Sequence, residues 1–428
     1  MPINPGPLEP DEILYGTQTK LSLQYFDGPV RRLRDVPTFV RYYALLKQVA
    51  ATVNCSFGVL DEVRAKAIES ACQEVAAGLH ANQFPTAVVL GGGGTTTNMN
   101  VNEVLAARAT QLAGVLVHPN DHVNASQSTN DTVPTVVALT ITSLSGGPLS
   151  ALDNLATVLS EKATEYEHTR YLGRTCMQDA VSVGASETFR AQAHAIQRTA
   201  RGLDEAVRAL HIPLGATVLG TSIGAPAGFA QACTDALAAL VDVEVSRAED
   251  LFDSLAHLDP YAAIADAACR AAITVAKIAS DIRLRASGPH GGLAEITIPT
   301  IQAGSSIMPA KVNPVVPEYA MQLSFRIRGM AYTVNCAVAA GELELNVMEP
   351  VIFDSLLNIF SDLEQASATM AALCIKGLEW NGARRVENLS YAVDQWVDLA
   401  ARSGYEAATA ARRVGHPEVR AVGTGQRA

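Results

Sequence analysis

Residues 304–318 read GSSIMPAKVNPVVPE. Two serines follow a glycine, and a lysine and an asparagine stand two apart, punctuated by Pro309, Pro314 and Pro317. That spacing of prolines suits neither a regular helix nor a strand, so the stretch is expected to be a loop with fixed turns. Its backbone N–H groups, serine hydroxyls, ammonium and amide could converge on a small anion. Taken by itself, such a stretch is also what a plain surface connection looks like.

Two further stretches carry polar chemistry. Gly91 to Gly94 follow the apolar run 87–90 and precede Thr95, Thr96 and Thr97. No Gly-Lys-Ser/Thr follows and the dinucleotide spacing is missing, so a phosphate loop is excluded. A plain turn fits, as does a loop that lets backbone and threonine hydroxyls approach a carboxylate. Residues 117–131 read VHPNDHVNASQSTND. His118 and His122 are four apart, but Pro119 and Asn120 between them break a shared helical face, which argues against a metal pair. Ser128, Thr129 and Asn130 are three adjacent hydrogen-bonding residues where a helix can begin, so they read either as ligand contacts or as a helix cap.

Long helices must position these loops. The 428 residues are 48% hydrophobic, 18% charged and only 5% aromatic, which implies a globular chain whose core rests on aliphatic and small side chains. Residues 1–35 read as mostly irregular, and helices are expected over Tyr42–Leu60 and Glu62–His80, the second capped by Asp61. Phe189, Ala193, Ile196, Ala200, Leu203, Val207 and Leu210 step by alternating fours and threes, as do Ile264, Ala268, Ala271, Val275, Ile278 and Ile282. Such seams need partners, so the central third reads as a helical bundle assembled between subunits. Met321–Ala340 is expected to be a buried helix and 352–377 the last long one. The arginine-bearing tail from 383, with Arg384, Arg385, Arg402, Arg412, Arg413, Arg420 and Arg427, reads as a helical appendage ending in a frayed VGTGQRA.

Charge and cysteine usage exclude several classes. A net charge of −11 argues against nucleic acid as a partner. Seven irregularly spaced cysteines without a CxxC pair read as reduced thiols in a cytoplasm, with neither a disulfide framework nor a zinc site. The proline-rich, acidic start does not read as a signal peptide, and no run of about eighteen uninterrupted apolar residues predicts a membrane span.

GSSIMPAKVNP resembles the signature of the fumarase/aspartase superfamily. LYGTQT (14–19), GGGGTTTNMNVNEV (91–104), HPNDHVNASQSTND (118–131), GRTCMQDA (173–180), LGATVLGT (214–221) and GELELNVMEPVI (341–352) are similar to other segments of that family, in its order. The forms VVPE after the signature and NVMEP at 346–350 resemble aspartate ammonia-lyase more than fumarase. The resemblance implies a mainly all-α, fumarase/aspartase-like fold. Its parts would be an N-terminal domain (1–130), a central long-helix bundle (131–382) and a short C-terminal helical domain (383–428). It also implies a homotetramer with active sites shared between subunits, a small dicarboxylate substrate and no cofactor.

The implied reaction removes a proton beta to a leaving group on a succinate skeleton and releases fumarate. The proton sits beside a carboxylate, so its removal makes an aci-carboxylate dianion that fixed donors must stabilise. By motif register Ser305 would be the base, acting as a stabilised alkoxide, with Lys311 and Asn313 beside it. Thr95, Ser128, Thr129, Asn130 and Thr175 match the carboxylate and leaving-group contacts. No GxSxG turn surrounds Ser305, so a serine hydrolase is excluded.

Three features depart from the family pattern. Cys176 stands where His or Gln is usual after GRT, and His290 where an arginine is usual, and the C-terminal domain looks shorter than in typical aspartases. In fumarases that histidine, helped by the glutamate matching Glu318, handles the water-derived leaving group. Its loss counts against a fumarate hydratase and less against an aspartase, because ammonium leaves with its proton. Nitrite expelled from nitrosuccinate, an activity found in the family, needs no proton either. Alternatively, Cys176 is a small packing residue. From another class, a non-catalytic structural relative would not require Ser305, Lys311 and Asn313.

Overall fold

Where an irregular N-terminus was expected, the structure places helix α1, Thr17–Tyr25; the structure is a computed structural model that describes residues 13–26, 28 and 30–415. The amides of Gly16, Gln18 and Thr19 and the Thr19 hydroxyl donate to the Glu103 carboxylate at 2.7–3.2 Å. The helix is thus capped from a distant segment, and nothing beside it in sequence announces the cap.

Helix α2 (Pro37–Ser56) starts and stops earlier than the expected 42–60, and α3 (Glu62–Ala76) starts at Glu62 as expected but stops short of His80. Pro37 opens α2 because its fixed φ and missing N–H suit a first helical position. Asp61 caps α3 as expected, accepting the Arg64 N–H at 3.0 Å. There follow α4 (Thr95–Ala113), α5 (Thr129–Leu144) and α6 (Gly146–Glu165). Strands β1 (Arg170–Thr175) and β2 (Gln178–Gly184) make an antiparallel hairpin. Then come α7 (Ala185–Arg208), α8 (Phe229–Leu240), the single turn α9 (Asp253–Ala256) and α10 (Asp259–Arg285).

Strand β3 (Ile296–Thr297) precedes the Ser305 loop, α11 (Val315–Val338) and α12 (Glu349–Thr369). Strand β4 (Glu379–Trp380) pairs antiparallel with β3, and α13 (Gly382–Leu389), α14 (Asp394–Ser403) and α15 (Tyr405–Gly415) end the described chain. The loop closes at Pro314, so Val315 to Glu318 are helical rather than part of it. Pro317 lies in the first turn of α11, where a missing N–H breaks no hydrogen bond. The frayed VGTGQRA and the proline-rich start lie outside the described residues.

The predicted seams are core. Phe189, Ala193, Ile196, Ala200, Leu203 and Val207 are buried, as are all six positions from Ile264 to Ile282. Leu210 is only partly covered, because α7 ends at Arg208. Helix α11 was expected to be buried nearly all round, yet Phe325 and Tyr332 are exposed, since nothing among the described residues covers that face. By length and composition 129–165 would suffice to cross a membrane, but 61% of its most apolar window is buried within the chain.

The chain divides into two compact units. One comprises 1–151, 199–273 and 322–365; the other comprises 152–198, 274–321 and 366–428.

Candidate active site

In the second unit, Ser305 opens a loop that folds back on its own hydroxyl. Ser305 Oγ accepts the N–H of Ile307 at 3.2 Å and of Met308 at 3.0 Å. The loop is clasped at its base: the Gly304 N–H donates to Lys311 O at 2.9 Å, and Asn313 Nδ2 donates to Gly304 O at 2.8 Å. A Cβ on Gly304 would collide with Lys311 O, so the close approach needs glycine. Lys311 is exposed and makes no ion pair among the described residues. Glu318, in α11, pairs with Arg283 at 3.3 Å. Two amide donors on one serine oxygen favour its anionic form.

Thr175 and Cys176 sit at the tip of the β1–β2 hairpin. The two turn residues, Cys176 (φ 52°) and Met177 (φ 60°), both have positive φ, as a type I′ turn requires. Residues with a Cβ adopt that conformation at a cost of about 1–2 kcal/mol each. Cys176 is exposed, so it is not a packing residue in this chain. No hydrogen bond among the described residues joins this turn to the Ser305 loop.

Sequence reasoning missed the group behind the hairpin. Glu295 is 0% exposed. Its Oε1 accepts from Arg174 Nη1 at 2.8 Å and Asn388 Nδ2 at 3.0 Å, and its Oε2 from Arg285 Nη1 at 2.9 Å. The Arg285 guanidinium also lies 4.3 Å from the Tyr171 ring centre, and that ring stacks on Trp380 at 4.8 Å. A lone glutamate in a glycine-rich stretch gives no local sign of such partners.

In the first unit, Thr95 and Ser128 to Asn130 stand at two helix N-termini. Gly94, at φ +88°, precedes α4, and the Thr95 hydroxyl donates to Gly92 O at 2.9 Å. Ser128 caps α5: its Oγ accepts the Asn130 N–H at 3.2 Å, and Asp131 Oδ1 accepts the Ser128 N–H at 3.0 Å. The capping reading therefore holds for Ser128. The two ends are held together, since Asn98 Nδ2 donates to Thr129 Oγ1 at 3.0 Å and a Cβ on Gly94 would meet Val133 at 2.9 Å. The glycine run thus serves the close approach of α4 to α5.

A buried polar network backs these ends. Asn124 Oδ1 accepts from Lys47 Nζ at 2.9 Å, Asn98 Nδ2 at 3.1 Å and Asn102 Nδ2 at 3.2 Å, while Asn98 Oδ1 accepts from the Tyr43 hydroxyl at 2.9 Å. Burial pushes the Lys47 ammonium down to about 7 and the Asp131 carboxyl up to about 6. The recurrent Asn98 and Asn102 in α4 were the available signal for this network.

The histidine pair is spent on a turn. The His118 N–H donates to His122 Nδ1 at 2.8 Å, and His118 Nδ1 accepts from the Asn120 and Asp121 amides at 3.3 and 3.1 Å. Among the described residues no group of three or more His, Cys, Asp or Glu is placed to hold a metal. A separate cleft of about 840 Å³ in the first unit is lined by His211, Arg247, Asp250, Tyr261 and Glu349, and none of the expected site residues lines it. Burial pushes Glu349 up to about 8, against the Tyr261 hydroxyl 3.5 Å away.

Residues 11–329 match the model of a lyase family. The chain is 39% identical over 380 residues to an aspartate ammonia-lyase of Corynebacterium glutamicum, spanning 87% of this chain and 72% of that protein. The chain belongs to the fumarase/aspartase superfamily. Another member, a class II fumarate hydratase of Thermosynechococcus vestitus, is 36% identical over 417 residues, spanning 96% of this chain and 89% of the other. The superfamily fold is shared as well. The crystal structure of a fumarate lyase:delta crystallin from Brucella melitensis superposes with a TM-score of 0.90 at 34% identity, covering 95% of this chain and 90% of that one. A class II fumarase from Schistosoma mansoni superposes with the same TM-score at 32% identity, covering 96% and 90%. As a superfamily member with the expected helical fold, the chain is a lyase.

Proposed function

We propose that this lyase eliminates ammonia from L-aspartate to give fumarate, with Ser305 as the base. The observation that carries the reading is the pair of amide donors on Ser305 Oγ. They stabilise the alkoxide that must take the proton from the carbon beside the carboxylate, and the second negative charge on that carboxyl group falls to donors such as Lys311. The loop stands in solvent in the isolated chain, where such donors count for less. Closing it over substrate excludes water and strengthens them. Thr95, Ser128, Thr129 and Asn130 hold the carboxylates at the two helix N-termini, and Thr175 and Cys176 meet the leaving-group side. Asn313 and Glu318 support the loop and its following helix.

Cys176 favours a second reading. It lacks the imidazole that handles a departing hydroxide in fumarases, so nitrite from nitrosuccinate is preferred to water from malate as the alternative leaving group. Absorbance of fumarate, followed in parallel with L-aspartate, malate and nitrosuccinate, separates the three. Turnover of malate alone would overturn the leading reading.

The exposed Phe325 and Tyr332 on α11 support self-association as a homotetramer, and sedimentation of the purified protein tests it. Seven free thiols support a cytoplasmic setting.

A further inference from the structure

We propose that Glu295 is a positioning residue: through Arg174 it fixes the Thr175–Cys176 turn against the substrate. The inference rests on the reading above, in which that turn meets the leaving-group side. Arg174 directly precedes Thr175, and the strand register slips between Leu172 and Arg174, which turns the arginine toward Glu295. Gly173 permits a close approach of the two arms there, since a Cβ would stand 2.6 Å from Val181 O.

The other ties of the hairpin lie further from its tip. Arg385 Nη1 donates to Arg170 O at 2.6 Å, and Asp394 accepts the Ser182 N–H and hydroxyl at 2.9 and 2.8 Å. On the arm that ends at Thr175, Arg174 is the last side chain tied to another element among the described residues. The anchor itself is fixed on both sides: the Glu295 N–H donates to Arg285 O at 2.9 Å, and Glu295 O accepts the Asn381 N–H at 2.8 Å. Each carboxylate oxygen serves a different arm. Oε1 holds Arg174, directly before the turn; Oε2 holds Arg285, which meets the hairpin only at Tyr171, four residues before Thr175. That division allows positioning to be separated from stability.

Fumarate is the probe, because its affinity does not depend on which group leaves. Calorimetric titration at a temperature well below melting gives Kd for each variant of the full chain. Glu295→Gln and Arg174→Met are expected to raise Kd about tenfold, as a displaced contact does. The double variant should bind no more weakly than either single one. Arg285→Met removes the other half of the cluster, so it should lower the melting temperature while Kd stays within about twofold. Arg174→Lys keeps the charge without the fork and decides the question if the stronger variants do not fold. Unchanged Kd in Glu295→Gln and Arg174→Lys, with melting lowered, would overturn the proposal. Thr175→Ala separates the two layers. If it binds fumarate as the parent does, the turn is outside the site and both readings fall. If it alone weakens binding, only the role of Glu295 falls.

Discussion

Asn98 Nδ2 donates to Thr129 Oγ1 at 3.0 Å, so a buried amide in the first turn of α4 sets the hydroxyl in the first turn of α5. Asn98→Ala removes that donor and also the acceptor of the Tyr43 hydroxyl, which lies buried. Losing them is expected to cost about 1–3 kcal/mol of stability, read from urea unfolding. Asn98→Asp keeps the acceptor for Tyr43 but cannot donate to Thr129. It should weaken fumarate binding at least as much as Asn98→Ala does, by calorimetry.

Ser305→Ala should lower turnover about 10²–10⁴-fold, the range in which a general base contributes. The Ser305 hydroxyl takes part only in a turn of a loop at the surface, so the melting temperature should move little. The spectrophotometric rate of fumarate formation and a thermal melt together check this. An unchanged rate would remove the serine from its role.

Glu349 gives a pH signature in stability. Its pKa is raised by burial from 4.5 to about 8, so the folded chain keeps a proton that the unfolded chain gives up across that window. Protons bound more tightly in the native state make stability fall as pH rises between those values. Glu349→Gln cannot titrate. Relative to the parent it should therefore gain stability from pH 5 to pH 8, by an amount on the order of 1–3 kcal/mol. Denaturant unfolding at the two pH values measures the difference. A constant difference between variant and parent would show that Glu349 is ionised throughout.

Cys176 should be a fast-reacting thiol under native conditions, because it is exposed at the hairpin tip. Cys233 and Cys374 are pushed up to about 12 by burial, which keeps them as unreactive thiols. Titration with a chromogenic disulfide reagent should show one fast thiol fewer in Cys176→Ser. Fumarate should slow its modification in the parent, and equal rates with and without fumarate would place Cys176 outside the substrate pocket.

The sequence was readable wherever a feature is local. The Asp61 cap and the seam from Phe189 to Val207 each depend on neighbours within a few residues, and the structure places them as read; Ser128 takes the capping alternative of its two. What stayed hidden depends on distant partners. Helix α1 owes its start to Glu103, 84 to 87 residues away, and Glu295 draws its partners from 10, 93 and 121 residues away. A buried charge advertises nothing within its own window, and Lys47 inside α2 is a further case.

The clasp at Gly304 is built from main-chain atoms and one amide, so the tip beyond it can change without displacing the serine. Ile307 is 85% exposed and lies outside the clasp, meeting Ser305 Oγ only through its N–H. Exchanging the Ile307 and Met308 side chains therefore alters what the flap presents to an incoming molecule while the proton-accepting oxygen keeps its place. Selectivity among substrates can thus be retuned there independently of the proton transfer.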